Sequence, residues 1–185
     1  MLVATAEDMR EADRRMAAQF AVPTLLLMET AGRRVAGFLL KEYATVQNFL
    51  LLCGPGNNGG DGLCAARHLK RAGKLVGVVL CAAPGRLGPD AAAQLAMLQA
   101  LEVPIAGAST EELEALQPFL RMGAVVVDAL LGTGMHGAPR ADMQRVLGFF
   151  RPLPYEVVAI DLPSGLRAET GEVASEPALA PLRAS

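Results

Sequence analysis

The run Asn48-Phe49-Leu50-Leu51-Leu52-Cys53, which passes directly into Gly54-Pro55-Gly56, constrains this chain more than any other stretch. After Asn48 it offers no polar side chain to either side of an extended segment, so a strand formed here must be covered on both faces. Strands of that kind belong to parallel sheets with helices above and below. The rest of the chain fits the same frame. Leu63 to Ala72 has the pattern of a helix ending near Gly73, and Leu75–Cys81 reads as a second apolar strand. Asp90 is placed to cap a helix whose Ala91, Leu95, Leu98 and Leu101 share one face. Val103 to Ala106 reads as a short strand, and Ser109 with Glu112 has capping-box spacing ahead of Leu113, Leu116 and Leu120. Ala124–Asp128 is strand-like, residues 141–150 set Met143, Val146, Leu147 and Phe150 on one helical face, and Glu156–Asp161 supplies another strand. Two helices precede all of this: residues 6–20, with Met9, Ala12, Met16 and Phe20 at helical spacing, and Thr24 to about Leu40 after Pro23. Alternation in this order predicts an α/β fold with a mostly parallel sheet and helices on both faces.

At 185 residues the chain has the length of one domain that can bury a core without staples. With 52% hydrophobic and 19% charged residues, much of it should lie inside. A net charge of −2 without a basic stripe argues against nucleic acid as a partner, since phosphate backbones are held by clustered Lys and Arg. Cys53, Cys64 and Cys81 form no CxxC pair, which fits a reducing compartment and small core residues. Glu7, Asp8, Arg10 and Glu11 do not make a signal peptide, and no apolar stretch approaches the roughly 18 residues of a membrane span. A cytoplasmic protein without a membrane partner is the expectation.

In an open α/β sheet ligands bind beyond the carboxyl ends of the strands. Three strand ends carry unusual loops: Gly54-Pro55-Gly56-Asn57-Asn58-Gly59-Gly60-Asp61-Gly62, Asp128-Ala129-Leu130-Leu131-Gly132-Thr133-Gly134, and Asp161-Leu162-Pro163-Ser164-Gly165. The first contains G-x-G-x-x-G spacing, which lets a phosphate approach the N–H groups of a helix N-terminus. The acid that a dinucleotide fold places about 20 residues on, for ribose, is missing, because the second strand ends Leu80-Cys81-Ala82-Ala83. A dehydrogenase reading fails there. The glycines could serve the geometry of one tight turn, but five in nine residues, interleaved with Asn57, Asn58 and Asp61, exceed that need. Asp128 and Asp161 each end an apolar strand, where a carboxylate is costly to desolvate. Either can cap the backbone of its own loop. Together with Asn58 and Ser164 they offer oxygen donors for an alkali or alkaline-earth cation. His68 reads as a surface or packing residue, while His136 can face the pocket.

These blocks resemble the signature of the NAD(P)H-hydrate epimerases, the YjeF N-terminal domain family. The likeness rests on residues 54–63 with Ala65-Ala66-Arg67-His68-Leu69, on Thr5-Ala6-Glu7-Asp8-Met9-Arg10-Glu11-Ala12-Asp13, and on Leu27-Met28-Glu29-Thr30-Ala31-Gly32. It extends to Val127–Gly134 and to Ile160–Leu166 with Thr170-Gly171. The resemblance implies a Rossmann-like three-layer α/β/α sandwich that often forms a homodimer. It implies interconversion of the R and S hydrates of NADH and NADPH, so that a separate S-specific dehydratase can act downstream on both. By motif position, Asn57, Asn58, Gly59, Gly60 and Asp61 would line the dinucleotide. So would Gly132, Thr133, Gly134, Met135, His136, Gly137 and Ala138, with Asp161 beside the damaged ring as acid/base. Asn58, Asp128 and Ser164 would hold a potassium ion. Residues 1–175 would form this domain and 176–185 an irregular tail, where the family continues into further strands. That difference predicts a sheet without its last strands. The alternative is a non-catalytic nucleotide- or protein-binding module of the same fold, similar to the use of this domain in mRNA-decapping scaffolds.

Overall fold

In the computed structural model, which describes residues 5–133, 140–168, 170–173 and 182, the apolar runs become five parallel strands. They are β1 (Asn48–Cys53), β2 (Leu75–Leu80), β3 (Ile105–Ala106), β4 (Val125–Ala129) and β5 (Val157–Ala159), in the spatial order β3-β2-β1-β4-β5. β1 is central, pairing Cys53 with Leu80 on one side and with Ala129 on the other. All six of its residues are buried because alternate side chains enter different layers. Phe49, Leu51 and Cys53 share a cluster with residues of α2 (Thr24–Glu42), α3 (Asn57–Arg71) and α4 (Pro89–Gln99). Leu50 and Leu52 pack with residues of α5 (Thr110–Glu114), α6 (Gln117–Arg121) and α7 (Ala141–Phe150). Each buried Leu contributes about 1.5–3 kcal/mol, so the run that looked doubly apolar is the centre of a doubly covered sheet.

Local signals account for several element ends. α1 (Ala6–Phe20) opens on a capping box in which Thr5 Oγ1 accepts from the Asp8 N–H at 3.1 Å and Asp8 Oδ2 accepts from the Thr5 N–H at 2.8 Å. The Ser109/Glu112 box opens α5 in the same way. Asp90 does not cap α4: Gly88 does, Pro89 takes the first helical position, and Asp90 Oδ2 accepts from Thr24 Oγ1 at 2.5 Å, joining α4 to α2. α3 begins at Asn57 rather than Leu63, so most of the glycine-rich segment is helix. β5 is shorter than the expected 156–161, because the chain leaves the sheet at Ile160 and bends at Asp161. The apolar side of α1 faces outward, with Met9, Met16 and Phe20 exposed. After β5, Leu166 and Val173 form an antiparallel bridge, and Leu182 is buried on the α7 side of the sheet. The remainder of 176–185 lies outside the described residues.

Candidate active site

The strand order decides where a ligand can enter. From β1 the chain moves outward to β2 and β3, then returns to the other flank of β1 with β4 and β5. The connections leaving β1 and β4 therefore diverge, and the crevice beyond their carboxyl ends is the switch point of the sheet. The turn 54–56 with the start of α3, the segment 130–133 and the segment 161–165 all meet there.

The glycines bring these pieces close. A Cβ on Gly54 would lie 1.9 Å from the Leu130 carbonyl oxygen, and one on Gly59 would lie 1.9 Å from that of Gly54. On Gly62 it would come within 2.7 Å of Ala129 Cβ. The first two turns of α3 thus rest directly on the ends of β1 and β4, and of the segment's five glycines only Gly56 faces open space. Packing, more than turn geometry, explains the density of glycine. One result is a helix N-terminus, with its unpaired N–H groups, at the mouth of the crevice.

Asp128, at zero exposure, is held entirely from within. Its Oδ1 accepts from Ser164 Oγ at 2.6 Å and from the Leu130 N–H at 3.1 Å, and its Oδ2 accepts from the Ser164 N–H at 2.8 Å. Burial pushes the carboxyl above its ordinary range although all three bonds oppose that. Ser164 Oγ also accepts from the Leu131 N–H at 2.9 Å, tying the β4 loop to the β5 loop. Asn58 stands at the second position of α3, and neither its Oδ1 nor its Nδ2, both buried, has a hydrogen-bond partner among the described residues.

Asp161 is exposed at the rim and sits in the left-handed region, φ +69°. Its Oδ2 accepts from the Thr133 N–H at 2.8 Å, and Gly132 leaves room for it: a Cβ there would lie 2.6 Å from that oxygen and 3.3 Å from Asn58 Cγ. Asn58, Gly132, Thr133 and Asp161 are therefore neighbours. Asp61, half-buried one turn along α3, is pushed up to about 7 by burial and then by the charges of Asp161 and Asp13. Asp13 belongs to α1, so the charge of a residue on that helix reaches the site. Asn57 is exposed, and Gly59 and Gly60 are buried. Gly134, Met135, His136, Gly137 and Ala138 lie outside the described residues.

His68 is more than a surface or packing residue, since its Nε2 lies 2.8 Å from Glu29 Oε1. Glu29, Cys64 and His68 set a carboxylate, a thiol and an imidazole within 4.8 Å of one another, ligand types that zinc accepts. Arg67 donates to both Glu29 and Cys64, so a guanidinium takes the place a cation would need.

Residues 24–182 match the family described as YjeF-related protein N-terminus. The bifunctional NAD(P)H-hydrate repair enzyme Nnr of Pyrobaculum aerophilum is 39% identical over 91% of this chain and 34% of its own length. The corresponding Nnr of Salinibacter ruber is 38% identical over 92% of this chain and 33% of its own. The chain thus spans about a third of these bifunctional relatives. The NAD(P)H-hydrate epimerase of Rhodopirellula baltica is 39% identical, over 91% of this chain and 67% of that protein. A crystal structure of the yeast protein ynu0 (YNL200c) has the same fold, with a TM-score of 0.82 and 24% identity over 95% of this chain and 76% of that one.

Proposed function

This chain belongs to the family of YjeF-related protein N-termini, and we propose that it acts as an NAD(P)H-hydrate epimerase, interconverting the R and S hydrates of NADH and NADPH. One observation carries the reading. Over 91% of its length the chain is 39% identical to a protein named for that activity, and the shared fold gathers Asn58, Asp128, Ser164 and Asp161 at the switch point of its sheet.

The hydrate bears a hydroxyl on a ring carbon next to nitrogen. Protonation of that hydroxyl and a push from the nitrogen lone pair release water and leave an iminium. Water then returns from the opposite face and gives up a proton. The protein must hold the phosphates and move one proton at the ring. The α3 N-terminus, with Asn57 to Asp61, suits the phosphates, and Gly132 to Ala138 would line the rest. Asp161 suits the proton: it is exposed, and the Thr133 N–H fixes its orientation through one oxygen.

A potassium ion is the cofactor we assign to Asn58, Asp128 and Ser164. The all-oxygen donor set fits a hard cation. So do Asn58, whose buried amide lacks a partner among the described residues, and Asp128, a carboxylate buried without a counter-charge in its hydrogen-bond set. Bound there, the ion would supply positive charge beside Asp128 and order around the substrate.

The S hydrate would pass to a separate S-specific dehydratase. A homodimer is part of the proposal, supported by the exposed Met9, Met16 and Phe20 on α1. A cytoplasmic location is likewise proposed; the three free, buried cysteines support it. No helix among the described residues is long and apolar enough to cross a membrane.

The test is to incubate the protein with the R hydrate of NADH in potassium buffer and follow both epimers by chromatography. Equilibration well above the spontaneous rate is expected. Asp161→Asn should slow it by about 10²–10⁴-fold with nucleotide binding retained. A folded protein that binds nucleotide without accelerating the exchange would instead be a binding module.

A further inference from the structure

The first two turns of α3 carry the proposed ligand groups and are seated by close backbone packing, without directional side-chain bonds of their own. Gly59, Gly60 and Gly62 meet the sheet and α2 without side chains. Among the described residues Asn58 is without a partner, and no side-chain hydrogen bond comes from Asn57 or Asp61 either. Apolar contact is non-directional. The glycine seat sets how closely α3 approaches β1 and β4 but supplies no directional side-chain bond, and any shift of the helix would carry the binding groups with it.

The first side-chain bonds along α3 come one turn later, and all converge on Glu29 of α2. Cys64 Sγ donates to Glu29 Oε2 at 3.3 Å, Arg67 Nη2 donates to the same oxygen, and His68 Nε2 lies 2.8 Å from Oε1. Gln94 of α4 donates to Oε2 at 3.2 Å and accepts from Arg67 Nε at 3.3 Å. Both carboxylate oxygens are therefore engaged by three positions within five residues of α3. Directional bonds at positions 64, 67 and 68 fix the helix's rotation and its position along its axis together.

The neighbours of Glu29 extend the grip toward the site. Met28 lies over Gly60, where a Cβ would come within 2.4 Å of Met28 Cε. Gly32 admits Cys64 and the Asp61 carbonyl, 2.8 Å from where its own Cβ would be. The block Leu27–Gly32, which no ligand role explains, is the part of α2 that clasps α3.

We propose that Glu29 is a positioning residue: by holding Cys64, Arg67 and His68 it sets where Asn57, Asn58 and Asp61 stand against the sheet. A merely structural ion pair would behave differently, since a well-packed apolar replacement often leaves stability unchanged or improved and would leave the site as it was.

Three variants make the test: Glu29→Gln, Glu29→Met and Arg67→Lys, which keeps the charge but loses the planar fork. Hydrogen exchange on the ligand-free protein comes first. Amides of residues 57–63 should exchange at least about tenfold faster in Glu29→Met, with β1 and β4 unchanged, and less so in Glu29→Gln. Affinity for NADP+ by calorimetry should weaken by about tenfold in Glu29→Met. The kinetic arm rests on the proposed epimerase activity: KM for the hydrate should rise in parallel while kcat stays within about twofold, the reverse of Asp161→Asn. Should Glu29→Met fail to fold, Arg67→Lys carries the same measurements. Unchanged exchange at 57–63 with unchanged NADP+ affinity, in folded Glu29→Gln and Arg67→Lys, overturns the assignment. A wild-type protein that does not epimerise overturns the proposed function instead, and the exchange measurement still decides the role of Glu29.

Discussion

Asp161 and Glu29 show how differently two carboxylates can be used in one small domain. Asp161 accepts a left-handed backbone, which Asp and Asn adopt more readily than other side chains. The Asn variant should therefore keep the loop intact, and its loss in the epimerisation assay can be read as chemistry. Glu29 is the opposite case. Burial is the largest single influence on it and pushes it up, yet the bonds from Arg67, His68, Gln94 and Cys64 together hold it at about 2 instead of 4.5. Well above pH 4.5 it is ionised whether the chain is folded or unfolded, and its contribution to stability is complete. As pH falls from 4.5 toward 2, the unfolded carboxylate takes up a proton that the folded one resists, so stability declines over that window. The carboxylate is partly open to solvent, which lessens the effect. In urea titrations across this range, Glu29→Gln should flatten the acid limb relative to wild type; equal slopes would remove Glu29 as a source of acid sensitivity.

At the scale of elements, helix starts divide into those written in a few residues and those decided by packing. The Thr5/Asp8 and Ser109/Glu112 boxes are complete within four residues each, and the second was legible in its spacing. The start of α3 could not, because glycine is the poorest helix former after proline and Gly59, Gly60 and Gly62 all fall within its first two turns. What makes residues 57–62 helical is their seat against Gly54, Cys53 and Ala129, which only glycine permits. The glycines therefore cannot be exchanged for better helix formers. Gly59→Ala would force a Cβ against the Gly54 backbone oxygen, which no rotamer change can relieve, and should cost about 1–3 kcal/mol by chemical denaturation. Gly56→Ala, facing open space, should change stability far less. Equal effects at the two positions would show that the close approach of α3 to the sheet is not what glycine secures.

For the whole molecule, the site is the meeting of three loops, and a cation bound there would link them in the folded state alone. Potassium chloride should raise the melting temperature above that in tetramethylammonium chloride of equal ionic strength. A ligand at 100 times its Kd adds about 2.7 kcal/mol, and Asn58→Ala should abolish the difference. No potassium effect in wild type would remove the ion from Asn58, Asp128 and Ser164. The sequence by itself determined the parallel sheet, the Ser109/Glu112 capping box, the two-sided burial of β1 and the three strand-end loops, because each is set by side-chain period or by neighbours a few residues apart. Only tertiary structure decided that Asp128 is satisfied by Ser164, 36 residues away, that the charge of Asp13 on α1 reaches Asp61, and that Glu29 holds three side chains of α3. It also decided that the apolar stripe of α1 faces outward. Helical spacing shows that a helix has an apolar side; which surface covers that side depends on chain brought from far away, and no local pattern records it.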